Sequence, residues 1–267
     1  MSTSPAVLDE TLITRLIVSH FAEDFLADAH LDVAVVGAGP SGLTAARLLA
    51  SAGHRVAVFE RHLHVGGGMW GGGMLFPRLV IQEEAAPLLA EVGVKLQLGE
   101  PGYFLVDSVE CVSKCAAAAL DAGARIWVGM AVEDVLVAEA GPVRGVVLNW
   151  GAVQEAGLHV DPLALAARVV IDATGHDCGI LRLLARKNPE ARLDTPTGGV
   201  MGERSMNAAV AEAHVVELSR EVYPGIIVAG MAANAVCAAP RMGAVFGGMF
   251  LSGQRAAQVA AEKLAPA

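Results

Sequence analysis

Apolar residues recur at helical spacing over residues 9–29, where Leu12, Ile13, Leu16, Ile17, Phe21 and Phe25 form one stripe and predict an N-terminal helix. That stripe can be buried on the body of the protein or on a neighbouring subunit. The pattern then changes. Asp32 to Val36 is an apolar run of strand length, Leu43 to Ala52 returns to helical spacing, and Arg55 to Glu60 reads as a second strand. Strand, helix and strand in this order form a βαβ unit with two parallel strands. Further along, helical patterns cover 82–92 and 107–122. Strands are expected at 125–130, 143–149 and 168–172, the last two as a hairpin or as a return to the main sheet. A helix at 208–221, a strand at 226–229 and a final helix at 243–263 close the chain. Residues 186–207 are polar, aperiodic and broken by Gly and Pro, which predicts a long surface loop and, beside a site, a mobile lid. With no internal repeat or linker, residues 1–267 are read as a single domain.

Composition narrows the classes. Of 267 residues, 54% are hydrophobic and 18% charged, which excludes disorder as the dominant state. A mean hydropathy of +0.50 raises the question of a membrane. The longest informative uncharged stretch, Val222 to Pro240, contains Pro224, Gly225, Gly230 and Asn234, which break a spanning helix. The net charge of −9, the lack of a basic run and an aromatic content of 4% exclude a nucleic-acid surface. Met1 to Glu10 shows no basic-then-apolar secretory pattern, and the four cysteines form no CxxC pair, so a reduced, cytoplasmic chain is expected. Thirty glycines favour ligand sites lined by backbone.

Gly37-x-Gly39-x-x-Gly42 follows a strand and opens a helix. Such a turn lets the backbone approach a pyrophosphate and offers it the free N–H groups of the helix N-terminus. Glu60 ends the second strand, 23 residues beyond Gly37, where a carboxylate can accept from both ribose hydroxyls. This context favours a dinucleotide site over a glycine turn made only for packing. The Gly66–Gly68 loop and Ala173-Thr174-Gly175 resemble secondary signatures of flavoprotein disulfide-reductase-like folds. That implies an α/β, glutathione-reductase-like FAD/NAD fold, with a mostly parallel sheet and a smaller antiparallel piece. The chain is short for a flavin enzyme with a separate substrate domain, and Gly230-Met231 stands where a Gly-Asp pair would mark the last strand.

Other residues carry candidate chemistry with open alternatives. His159 and Asp161 project from one face of an extended segment. Asp161 and His176 can offer one oxygen and one nitrogen to a divalent metal, and the same residue types suit ordinary turn chemistry. Arg241, before the last helix, suits a carboxylate or a surface ion pair. Cys111 and Cys115 share a helix face as small buried hydrophobes. His62 and His64 flank the glycine loop without an assigned role, and Met69, Met74, Met242 and Met249 fill gaps.

Taken together, DVAVVGAGPSGLTAARLLA, VFERHLHVGGGMWGGGMLFP, VLNWGAVQEAGLHVDPL, VIDATGHD, and GMAANAV followed by PRMGAVFGGMFLSG resemble the thiamine thiazole synthase family over about residues 10–264. The resemblance implies an NAD-consuming, transferase-type enzyme that makes an adenylated thiazole carboxylate from NAD, glycine and a sulfur source. Nicotinamide leaves first, the ring-opened ADP-ribose becomes a ketone, glycine condenses as an imine, sulfur adds, and cyclisation follows. It implies that Ser41, Glu60, Arg61 and Gly68 contact the ADP portion around the Gly37, Gly39, Gly42 turn, with Val132 beside the adenine and Met231 on the nucleotide. Arg241 would hold the glycine carboxylate, and Asp161 and His176 would hold iron(II), a Lewis acid and template for imine and sulfide. His159, Val160 and Asp161 would reach the site of an adjacent protomer in a homo-oligomer, an octamer in this family. The family has Pro where this chain has Ala244, which loosens the Arg241 loop. Eukaryotic members carry a sulfur-donating cysteine where this chain has His159, so external sulfide is the expected sulfur source. The rival readings are an FAD-dependent oxidoreductase of related fold and a non-catalytic NAD-binding scaffold.

Overall fold

A computed structural model describes residues 8–138 and 141–265. Helix α1 (Glu10–Ala27) begins at Asp9, whose carboxylate accepts the Thr11 and Leu12 N–H groups at 2.9 and 3.2 Å. The expected stripe divides between two environments. Phe21 stacks on Phe25, and both meet Trp127 edge-on, with Phe21 also near Trp150. Leu12, Ile13, Leu16 and Ile17 stay exposed.

The βαβ unit forms as β1 (His30–Val36), α2 (Pro40–Ser51) and β2 (Val56–Glu60). Alternation explains its burial on both faces. Val33, Val35, Val56 and Val58 enter one apolar cluster, while Ala34, Val36, Ala57 and Phe59 enter the other. Each fully buried side chain of this size stabilises the fold by about 1.5–3 kcal/mol.

The middle of the chain holds elements that periodicity did not reveal. They are β3 (Arg78–Gln82), β4 (Gln97–Leu98) and β5 (Tyr103–Asp107), whereas the helix expected at 82–92 is present as a 3-10 turn (Glu83–Ala85) leading into α3 (Ala86–Glu91). These strands form a small antiparallel sheet in the order β3-β5-β4. The chain continues through α4 (Ser108–Asp121), β6 (Arg125–Val128), β7 (Met130–Val137), β8 (Val143–Trp150), α5 (Gly151–Glu155) and β9 (Leu163–Asp172). Then come α6 (Gly179–Lys187), α7 (Ala208–Glu217), β10 (Glu221–Tyr223), β11 (Ile226–Val228), α8 (Met231–Val236) and α9 (Gly247–Leu264).

In the main sheet β11, β9, β1, β2 and β6 run parallel, in that order. Strand β10 flanks β11 antiparallel, and β7 and β8 add an antiparallel extension. Both expectations for 143–149 and 168–172 hold, because β9 is long. Its first half pairs with β8 and its second half with β11, while its other edge runs along β1. Helices α2, α4 and α9 cover one face of the sheet, and α6 and α8 cover the other.

Two expected helices are shorter than predicted. Helix α7 stops at Glu217, and α9 starts at Gly247 rather than 243. Residues 241–246 form an irregular segment instead, tied to β3: Phe246 N–H donates to Val80 O at 2.9 Å, and Val245 bridges Val80. Residues 188–207 carry neither helix nor strand. Among the described residues no helix is long and apolar enough to cross a membrane.

Candidate functional site

The parallel strands β1, β2, β9 and β11 end on one side of the molecule, the edge where open α/β sheets place ligands. There the chain leaves a cleft of about 1270 Å³. Gly37, Gly39, Ser41, Glu60, Arg61, Gly68, Val132, His176, Met231 and Arg241 all line it. The structure therefore gathers into one space most of the residues singled out from sequence, drawn from segments far apart in the chain.

The glycine turn divides its labour clearly. A Cβ at Gly37 would meet the Ala173 carbonyl, and one at Gly42 would run into the Gly37 carbonyl oxygen. A Cβ at Gly39 would meet nothing within 4 Å, because that position faces the open cleft. Gly39 caps α2 without a side-chain bond and Pro40 occupies the first helical position, so backbone N–H groups at the helix start remain available to an anion. Gly66 N–H donates to Ala38 O at 2.7 Å, which joins the second glycine loop to this turn.

Glu60 is buried, and its carboxylate braces the turn. Oε2 accepts the Ala38 N–H at 3.0 Å, and Oε1 accepts the His62 N–H at 2.9 Å. A carboxylate offers about four lone-pair positions, so capacity for two ribose hydroxyls remains. Arg61 pairs with Asp177 at 3.6 Å, both exposed, an interaction of little energetic weight. His62 and His64 stack at 5.3 Å and line the cleft. Of the methionines taken as gap fillers, Met74, Met242 and Met249 also line it, while Met69 is fully buried.

The second part of the cleft is built from loops. At the end of β9 the fully buried Asp172 organises the His176 turn. Its Oδ1 accepts from Thr174 N–H and Oγ at 3.1 and 2.6 Å, and its Oδ2 accepts the Ile180 and Leu181 N–H groups at 3.1 and 3.2 Å. Burial pushes the Asp172 carboxyl above the usual range, and these bonds oppose that rise. His176 is half-exposed, and its Nδ1 lies 2.7 Å from Glu203 Oε1. Arg241 is exposed on the cleft and takes part in none of the ion pairs among the described residues. Its backbone is clamped, with its N–H on Arg204 O and its carbonyl accepting from Asn207 N–H, both at 3.1 Å.

His159, Val160 and Asp161 do not join this cleft. They lie exposed between α5 and β9, where Asn149 Nδ2 donates to Val160 O at 3.0 Å. Asp161 and His176 thus do not meet in one chain, and among the described residues no three His, Cys, Asp or Glu side chains gather as a metal site. The donor types suit a divalent metal: one carboxylate, and one imidazole whose Nδ1 is already engaged and whose Nε2 is free. They fit only if a second copy supplies Asp161.

No cysteine lines the cleft. Cys111, Cys115 and Cys178 are buried, and burial is the main force pushing the Cys178 thiol up. Sequence reasoning missed Glu203, and gave no role to Asp177 and Gln154, which lie in quoted motifs. Glu203 sits in an aperiodic polar stretch that carried no signal.

Comparison with known proteins gives a consistent set of relatives. Residues 14–246 match the model of the Thi4 family. The chain is 53% identical over 258 residues to a thiamine thiazole synthase of Methanothrix thermoacetophila, covering 97% of this chain and 98% of that protein. It is 52% identical to a thiamine thiazole synthase of Methanothermobacter thermautotrophicus, covering 96% and 99%. The crystal structure of the Thi4 protein of Thermovibrio ammonificans superimposes with a TM-score of 0.94 at 46% identity, covering 97% of this chain and 99% of that one.

Proposed function

This chain belongs to the Thi4 family, and from that membership we propose that it is a thiamine thiazole synthase that assembles ADP-thiazole carboxylate from NAD, glycine and sulfide. One observation carries the reading. A single cleft joins a dinucleotide turn, with Gly39 open to the space and Glu60 beside it, to an Arg241 free of any ion pair among the described residues. A cofactor pocket alone needs only the first half. A reaction that joins a nucleotide to an amino acid needs both.

In this reading the N–H groups opening α2 hold the pyrophosphate, the Glu60 carboxylate accepts from the ribose, and Val132 and Met231 flank the nucleotide. NAD is a substrate here, and nicotinamide leaves. Arg241 holds the glycine carboxylate through paired N–H donors, which orients the amino group for condensation with the opened sugar. His176, together with Asp161 of a second copy, would hold iron(II), which supplies Lewis acidity when bound. The exposed 159–161 segment and the exposed apolar half of α1 suit a homo-oligomer with sites shared between copies, an octamer on the family pattern.

Sulfur comes from outside the protein. An imidazole stands at His159, and none of Cys111, Cys115, Cys178 and Cys237 lines the cleft. The test is anaerobic incubation with NAD, glycine, iron(II) and sulfide, with product counting and intact-protein mass. More than one ADP-thiazole per subunit, with the protein mass unchanged, is the expected result. A single turnover that leaves dehydroalanine at a cysteine refutes the sulfide route, and a flavin-coloured protein forming no thiazole refutes the synthase.

A further inference from the structure

Glu203 lies in the irregular stretch 188–207 and does not line the cleft, yet its carboxylate meets His176, which does. Its Oε1 is 2.7 Å from His176 Nδ1, and its side chain is 17% exposed against 50% for the histidine it meets. We propose that Glu203 is a positioning residue for His176: it accepts the Nδ1 proton and leaves Nε2 as the electron-pair donor offered to the cleft. This rests on reading His176 as a metal donor.

A half-exposed imidazole with no partner exchanges tautomers and turns about its side-chain bonds, so the donating nitrogen is undefined. A carboxylate on Nδ1 removes both freedoms and makes Nε2 more basic, as partners of metal-bound histidines do generally. Finally, Glu203 is itself held. Gly202 N–H donates to Ala235 O at 2.8 Å, and Arg204 N–H donates to Ala239 O at 3.0 Å. The residue is thus presented by backbone fixed on both sides.

Among the described residues Glu203 is the carboxylate in contact with the His176 ring. Arg204 also accepts the Arg241 N–H at 3.1 Å, so one short stretch sets both the imidazole and the guanidinium. A surface ion pair does not require this arrangement, because its carboxylate gains little from a fixed backbone and a covered side chain.

The experiment is anaerobic titration of the whole protein with Co(II), read by calorimetry and by the cobalt absorption bands. Melting temperature and ADP affinity serve as controls. Glu203→Ala is expected to weaken Co(II) binding by about 10–100-fold with ADP affinity unchanged. Glu203→Gln, whose amide oxygen still accepts from Nδ1, is expected to recover most of that loss. If Glu203→Ala does not fold, Glu203→Met is compared with Glu203→Gln, and equal Co(II) affinity of the two overturns the proposal. Wild-type affinity in Glu203→Ala alongside lost affinity in His176→Ala overturns the positioning role alone. Wild-type affinity in His176→Ala overturns the metal reading, and this proposal with it.

Discussion

The two parts of the cleft are made from different material. In the proposed function the nucleotide part is local: the Gly37–Gly42 backbone turn, the start of α2 and the buried Glu60 carboxylate, all within one βαβ unit. The reacting part is side chain: His176 and Arg241, brought from separate loops and steadied by the 188–207 stretch. The first is complete in one chain. In the proposed function the second takes Asp161 from another copy, because Asp161 is exposed and does not line this cleft. Holding the unreactive ADP moiety needs only fixed dipoles, which local sequence can supply. Joining sugar, amino acid and sulfur needs several charges in register, and these come from long-range assembly.

This division is easiest to break on the nucleotide side. Gly39→Leu fills the open space over the turn while its backbone, at φ −78°, accepts a side chain. Two lost charge-assisted bonds of about 1.5–3 kcal/mol each predict ADP binding weakened by more than about 100-fold, with an unchanged melting temperature. Gly42→Leu, by contrast, collides with the Gly37 carbonyl and should lose the fold itself. Calorimetry and circular dichroism on the pair separate the two roles, and unchanged ADP affinity in Gly39→Leu removes the nucleotide assignment.

Arg241→Ala probes the reacting side. Losing one bidentate contact worth about 1.5–3 kcal/mol should raise the KM for glycine by about 10–100-fold and leave ADP affinity alone. Steady-state kinetics over a glycine series checks this. A fall in kcat at constant glycine KM would move Arg241 out of the carboxylate site.

A smaller effect lies behind that side. Glu212 Oε2 accepts the Gly248 N–H at 2.8 Å and also the Gln82 side-chain amide, so it braces the start of α9 just after the Arg241 loop. Burial raises its carboxyl above the usual carboxylate range. A group raised in the folded state favours folding at pH below its unfolded value and loses that contribution as pH rises through the folded one. Glu212→Gln should therefore raise the melting temperature near pH 8 relative to wild type, by about 2–4 °C, and do less near pH 5. Melting curves at the two pH values test the sign.

Legibility in the sequence follows the same division. The βαβ unit, its glycines and Glu60 were readable because strand, turn and helix follow one another with fixed spacing. The small sheet β3-β5-β4 was not: β4 is two residues long, and β3 and β5 pair across α3, so short-range periodicity carried little of their partnership. Helix α6 was hidden because its start depends on Asp172, a buried residue of the preceding strand, rather than on a local cap. Arg241 and His176 were visible as motif residues, but nothing local showed that they share a cleft. Glu203 was invisible, since its role is defined by a contact with a residue far away in sequence.

In the proposed function, one chain holds a whole nucleotide site and only part of a reacting site. Mixing an Asp161→Ala chain with an Arg241→Ala chain tests it most directly, after dissociation and reassembly with subunit exchange confirmed by mass. At glycine concentrations well below the raised KM of Arg241→Ala, each variant alone should show little activity, and mixed oligomers should regain part of it. In these, some sites combine an intact Arg241 with an intact Asp161 from the neighbouring chain. Mixed oligomers as inactive as either parent would contradict that reading.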